Sequence, residues 1–231
     1  MERILGITDR YRKPSDLPAI LPVFPLQGCI LLPRSTLPLN IFEPRYLEML
    51  DDVLAENRII GIVQPRRGTE NEESPEGKSA PLRQTGCAGR LTAYSETDDG
   101  RMLITLTGIA RFDMVAEQQS ARPYRLCQVT YAPYQTDFVR GHGQDAVDWP
   151  RLLRVLKMYL TARQLSADWQ SIERSPAELL VNTLSMISPY GPEEKQALLE
   201  ASDLKERSEV LMALAQMELA TPEDGSGSSL Q

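Results

Sequence analysis

The sequence predicts an α+β protein, in which a strand-rich barrel or sandwich carrying one helix is followed by a set of packed helices. Three observations lead there. Between residues 18 and 134, several short stretches are apolar or alternate apolar with polar residues, and each is closed off by proline, glycine or aspartate. From about residue 148 the apolar spacing changes to three and four. Between the two, Gln135 to Val147 carries Gly141-His142-Gly143 and marks a boundary. The expected organisation is a β-rich subdomain over 18–134 and a helical subdomain over 148–220, with 1–17 and 221–231 flexible.

In chain order, Val23-Phe24-Pro25-Leu26, Cys29 to Leu32 and Leu37-Pro38-Leu39 read as short strands punctuated by Pro22, Pro25, Pro33 and Pro38. Proline cannot donate to a ladder, so these are expected at edges or bulges rather than in central positions. Pro44 suits a first helical turn, and Tyr46, Leu47, Leu50, Val53 and Leu54 then make an apolar stripe. Ile59 to Val63 is a strand, and the charged, glycine-containing stretch 66–81 is a mobile polar loop. Asp98-Asp99-Gly100 is a turn signal that joins Gly89–Ser95 to Arg101–Thr107 as a hairpin, and Arg125 to Tyr131 adds a further strand.

In the helical half, Trp149-Pro150 opens a helix with Leu152, Leu153, Leu156, Tyr159 and Leu160 on one face. Ser175-Pro176-Ala177-Glu178 reads as a capping box leading to Leu179, Leu180, Leu184 and Ile187. Pro189-Tyr190-Gly191-Pro192 breaks the chain before a short helix with Leu198 and Leu199. Asp203 with Glu206 forms a second box, ahead of Val210, Leu211, Leu214 and Met217.

Composition bounds the function. With 231 residues, 42% hydrophobic, the chain can bury roughly 70% of its unfolded surface, so disulfides and metals are not needed for stability. A net charge of −7 counts against nucleic acid, leaving only a local basic patch around Arg66 and Arg67. Met1 to Lys13 lacks the apolar core of a signal peptide, and no apolar run is long enough to span a membrane. Cys29, Cys87 and Cys127 are odd in number and widely spaced, as suits reduced thiols in a cytoplasm.

The residues offer no complete catalytic set. Gly77-Lys78-Ser79 resembles the end of a phosphate loop, but Glu72 stands where an earlier glycine is needed. Ser202-Asp203-Leu204-Lys205 fits Ser-x-x-Lys, yet its charged neighbours Asp203, Glu206 and Arg207 oppose the desolvation a lysine base requires. His142 is the single histidine, so a two-histidine metal site is excluded, and its glycine neighbours place it on the surface. Asp51-Asp52 and Asp98-Asp99 read as helix surface and turn. Arg45 and Arg111 either line a recognition groove or pair with carboxylates to fix a helix on the strands; Phe24, Phe42, Tyr46 and Phe112 read as core. No catalytic, cofactor-binding or metal-binding residue is assigned, and the substrate-binding residues are left unknown.

Leu21-Pro22-Val23-Phe24-Pro25-Leu26, Leu32-Pro33 and, most specifically, Leu37-Pro38-Leu39-Asn40-Ile41-Phe42-Glu43-Pro44-Arg45-Tyr46 resemble the amino-terminal substrate-recognition domain of Lon proteases, in its stand-alone bacterial form. Gly86-Cys87-Ala88-Gly89-Arg90, Asp99-Gly100-Arg101 and Gly108-Ile109-Ala110-Arg111-Phe112 are similar to the family's later strands. The Pro189 to Pro192 break and Leu198 to Arg207 match more loosely. The resemblance implies a PUA-like β pseudo-barrel with a packed helix, followed by a helical bundle. In the protease an ATPase and a Ser-Lys peptidase follow this domain, and the sequence ends before either, so the resemblance implies a non-catalytic module. Its expected partners are unfolded or exposed peptide segments, or a folded protein, held along a sheet edge or in the cleft between strands and helices. An independent hydrolase and an RNA-binding barrel are the alternatives.

Overall fold

The computed structural model describes residue 6 and residues 8–66 and 80–220. Most of the polar loop expected over 66–81, including Arg67, Glu72 and Gly77-Lys78-Ser79, lies outside the described residues, as does the tail over 221–231.

Six strands form one mixed sheet: β1 (Ile20–Pro25), β2 (Thr36–Ile41), β3 (Ile59–Pro65), β4 (Leu82–Glu96), β5 (Met102–Gln118) and β6 (Arg125–Thr130). Helix α1 (Pro44–Ala55) sits between β2 and β3 in the chain. The order across the sheet is β2-β5-β4-β3-β1-β6, with a further pairing of β6 on β5. β1 and β3 run parallel, α1 lying in the connection between them, and the other pairs are antiparallel.

This corrects the expected pseudo-barrel. β5 pairs with β2 over Met102–Thr107 and with β6 over Asp113–Gln118, so the sheet coils at one end only. At the other end β2 pairs with β5 alone and leaves a free edge. The cause is the hairpin length: β4 and β5 run well past the 89–95 and 101–107 segments that the alternation marks out, and one 17-residue strand serves two neighbours at different heights.

Two other expectations change. β1 is not an edge strand, despite Pro22 and Pro25. Ile20–Val23 pair with β6 on one side and Val23–Pro25 with β3 on the other, so each proline faces a side where no ladder runs. Cys29 to Leu32 is not a strand but a buried connection, with Ile30, Leu31 and Leu32 fully enclosed. It passes so close to β5 that a Cβ on Gly108 would lie 2.0 Å from the Leu32 carbonyl oxygen. Gly86 makes room in the same way for Phe112, whose ring carbon would stand 2.6 Å from an added Cβ.

The helical region comprises α2 (Trp149–Ala162), α3 (Trp169–Arg174), α4 (Ala177–Ile187), α5 (Pro192–Glu200) and α6 (Leu204–Ala220). Asp148 caps α2 by accepting from the Arg151 amide at 3.1 Å. Half of the box at Asp203 and Glu206 forms: Asp203 accepts from the Glu206 amide at 2.8 Å, while the Glu206 carboxylate accepts from the amide of Ser202 at 2.6 Å. The box at Ser175 does not. Pro176 occupies the cap position without a side-chain bond, and the Glu178 carboxylate turns away to Arg34 and the Gly141 amide. α3 carries no long apolar stripe and was not legible in the spacing.

Apolar residues of the sheet, α1 and the helices merge into one cluster that runs from Phe24 through Leu50 and Leu106 to Leu156, Leu198 and Leu211. A second cluster on the sheet gathers Leu21, Val23, Phe112 and Tyr131.

Gly108→Ala should lower the unfolding free energy by about 1–3 kcal/mol or more, because the added methyl meets backbone and not a movable side-chain end. Urea unfolding of the variant against the parent chain measures this.

Candidate functional site

Where the strands meet the helices, the apolar cluster is joined by a closed set of polar contacts. Arg111 on β5 is 1% exposed, and every one of its side-chain donors is used. Its Nε and Nη2 donate to the two carboxylate oxygens of Asp137 at 2.9 and 2.8 Å, Nη1 to the carbonyls of Leu199 and Ala201, and Nη2 also to that of Ser202 at 3.4 Å. The Arg111 amide donates to Asp137 as well, at 2.9 Å. A cation suits this place because the carbonyls around the end of α5 carry the negative pole of that helix. Burial opposes the charged form, but the hydrogen bonds and charge of Asp137 outweigh it, and the guanidinium is held above its ordinary range. The Tyr134 ring covers it at 4.6 Å.

Neighbouring groups extend the joint. Arg34, at the entry to β2, pairs with Glu178 of α4 and donates to the Asp137 carbonyl at 2.6 Å. Gln64 of β3 donates to the Pro192 carbonyl and to Gln196 of α5, both at 3.0 Å. Gln196 in turn donates to the Thr85 carbonyl of β4 at 3.2 Å. Lys195 Nζ donates to the carbonyls of Ser185 and Met186, and burial draws its ammonium down to about 8. The cleft expected between strands and helices is therefore filled; at the Arg111 joint a cavity of about 20 Å3 is left.

The open apolar space lies elsewhere, inside the helical region. A cavity of about 630 Å3 is walled by α2, α4, α6 and the corner at Ser188–Tyr190, with Leu156, Tyr159, Leu184, Ile187, Tyr190 and Leu211 among its lining. That size falls within the roughly 300–1,000 Å3 of pockets that take organic ligands. Ile187 and Leu165 line it while remaining 70% and 57% exposed, so they stand at its opening. Glu218 supplies a polar rim, accepting from the Tyr159 hydroxyl at 2.9 Å and from Arg163 at 3.1 Å. The sequence pattern had assigned Ile187 to a packed face together with Leu179. Instead the buried side of α4 is Leu180, Val181, Asn182 and Ser185. Asn182 and Ser185 can be buried because each finds partners, Asn182 the Pro33 carbonyl and Arg207, and Ser185 the Val181 carbonyl.

The residues singled out in the sequence do not converge. Arg45 is exposed, pairs with Glu43 two residues away at 2.6 Å and lies over the Tyr46 ring, so it does not fix α1 to the sheet. Phe42 is an exposed aromatic, unlike the buried Phe24, Tyr46 and Phe112. His142 is exposed beside the small cavity of the joint. Ser202 is exposed and its amide donates to Glu206, while Lys205 faces Glu209 at 3.8 Å. Asp52 accepts from the Tyr124 hydroxyl at 2.6 Å and pairs with Arg122 at 2.8 Å, and Asp99 pairs with Arg101 in the hairpin turn. Burial raises the Cys127 thiol to about 11, with the Glu117 charge adding to the shift. Cys87 rises further for the same first reason, so neither is poised as a nucleophile. Among the described residues no group of three or more His, Cys, Asp or Glu side chains could hold a metal ion, and no helix is long and apolar enough to cross a membrane.

Residues 20–216 match the substrate-binding domain of the ATP-dependent protease La (LON). The chain belongs to that family. Among curated relatives it is 26% identical over 201 residues to Lon protease 2 of Myxococcus xanthus, covering 86% of this chain and 24% of that protein. It is 23% identical over 214 residues to the Lon protease of Syntrophus aciditrophicus, covering 91% and 26%. The chain thus spans about a quarter of the length of these Lon proteases, and what it shares with them is the non-catalytic binding domain. The N-terminal domain of the Mycobacterium avium complex Lon protease has the same fold, with a TM-score of 0.61 at 18% identity over 85% of this chain and 98% of that one. A Lon N-terminal domain protein from Xanthomonas campestris gives 0.55 at 18% identity, over 88% and 99%.

Within this Lon-type domain, Asp137→Asn should cost about 3–5 kcal/mol of stability, because it leaves the enclosed Arg111 guanidinium without its counter-charge. The double variant Arg111→Met/Asp137→Leu should lose less than the single one. Denaturant midpoints of the three proteins test the order.

Proposed function

We propose that this Lon-type domain holds unfolded or exposed polypeptide segments by taking their apolar side chains into the cavity between α2, α4 and α6. The observation that carries this reading is a 630 Å3 apolar space whose opening displays Ile187 and Leu165 to solvent. A chain does not ordinarily leave large aliphatic side chains around an open hollow without a partner for them. The family's own description, a substrate-binding domain, supports the same class of ligand.

The free edge at β2 fits the role less well. Pro38 is exposed at the middle of that strand and has no N–H to offer an incoming backbone. On this reading the β-rich span 18–134 is the frame and the helical span 148–220 carries the receptor. Its working compartment is the cytoplasm, which suits three cysteines without disulfides.

Ile187→Glu probes the site at little structural cost, since the side chain is mostly exposed. Burying such a side chain contributes roughly 1.5–3 kcal/mol, so its loss should weaken binding of a fluorescently labelled unfolded protein by about tenfold or more. The melting temperature should stay near that of the parent. Affinity equal to the parent's, or no saturable binding by the parent itself, would rule the cavity out as the receptor.

A further inference from the structure

Arg207 carries a buried charge in the joint with no counter-ion in contact. Arg207 on α6 is 4% exposed. Its Nε donates to the Leu198 carbonyl at 2.8 Å and its Nη1 to Asn182 Oδ1 at 3.0 Å, both neutral acceptors, while Nη2 meets no acceptor among the described residues. The other two arginines of the joint differ: Arg111 has Asp137, and Arg34 has Glu178. Three guanidinium groups therefore face two enclosed carboxylates. A third carboxylate, Asp203, is exposed and already accepts from the Glu206 amide, and His142 at the rim is exposed too. A guanidinium out of water with neither a paired charge nor a full set of acceptors is strongly unfavourable.

Beside Arg207 lies the cavity of about 20 Å3, lined also by Arg34, Arg111 and Asn182. It exceeds the roughly 10–15 Å3 that a single water molecule needs. We propose that this cavity is a binding site for one monovalent anion of about the size of chloride, held by Arg207 Nη2, the one guanidinium of the lining without a carboxylate in contact. Three carboxylates share the lining: Asp137 is turned through both oxygens to Arg111, Glu178 to Arg34 and the Gly141 amide, and the exposed Asp203 to the Glu206 amide. Burial first, and then the Arg111 charge, pull the Arg207 guanidinium down to about 10, which is the mark of a cation that its protein neighbours leave under-compensated. This site shares no lining residue with the apolar cavity, so it stands independently of polypeptide binding.

The test uses the whole chain exchanged into chloride-free buffer, with ionic strength held constant by sodium gluconate, whose anion is too large to enter. Replacing gluconate with chloride or bromide should raise the thermal midpoint saturably, by about 3–6 °C at ten times the dissociation constant. Arg207→Met should abolish the increment. Should that variant fail to fold, Asn182→Asp sets a carboxylate against Nη1 and should remove the halide dependence while the chain stays folded. Crystals grown in bromide should show an anomalous peak within hydrogen-bonding distance of Nη2. A midpoint indifferent to halide overturns the proposal. So does a bromide peak without any halide-dependent midpoint, which would be binding at crystal concentration only, and so does a lone water beside Nη2.

Discussion

A guanidinium withdrawn from water governs how the two halves of this chain meet. Arg111 leaves β5 in the middle of an apolar sheet, and burying a charge there is tolerable only if every donor is met and a carboxylate is adjacent. Asp137 provides the carboxylate from a short 3-10 segment, Ala132–Phe138, just beyond the last strand. The carbonyls of Leu199, Ala201 and Ser202 provide the rest from the corner between α5 and α6. Three segments far apart in sequence are thereby tied to one side chain. A hydrophobic contact could hold them together, but it would not specify which carbonyl faces which strand; directional bonds do.

That constraint decides where a ligand can go. Polar groups with fixed partners fill the junction, from Gln64 and Gln196 at one end to Arg34 and Glu178 at the other, so the crevice between sheet and helices is closed. The helices beyond it meet one another through α2, α4 and α6, where mainly aliphatic side chains leave a hollow. The hollow survives because α4 spends its buried side on Asn182 and Ser185, which answer to Arg207 and to the helix backbone. Ile187, two residues beyond Ser185, lies on the other side of the helix and is left at the surface.

Local chemistry was readable where the sequence alone satisfies it. Pro44 and the stripe from Tyr46 to Leu54 define α1, and Asp203 with Glu206 define the start of α6, since each needs only neighbours within a turn or two. Ser175 shows the opposite case: its box has the right letters, yet Glu178 bonds more favourably with a distant arginine than with a nearby amide. In the sequence Arg207 reads as one more charged neighbour of Lys205, as residues at a helix start usually are. Nothing within the helix reveals that Asn182 and the Leu198 carbonyl wait for it. For Asp137 the sequence held a faint signal, a lone acid in an otherwise uncharged segment beside the last strand.

The sequence by itself determined the class of structure, the family, and the order of strands before helices. Those follow from apolar spacing, turn residues and short motifs, all of which act over a few positions. Only the tertiary structure decided that the strands stay an open-edged sheet. That outcome depends on how far β5 outruns β2, and so on pairing register between distant segments. It alone also placed the apolar cavity and left Arg207 without a paired charge. Both are properties of space that side chains from several helices either fill or fail to fill, and no stretch of sequence carries that information on its own.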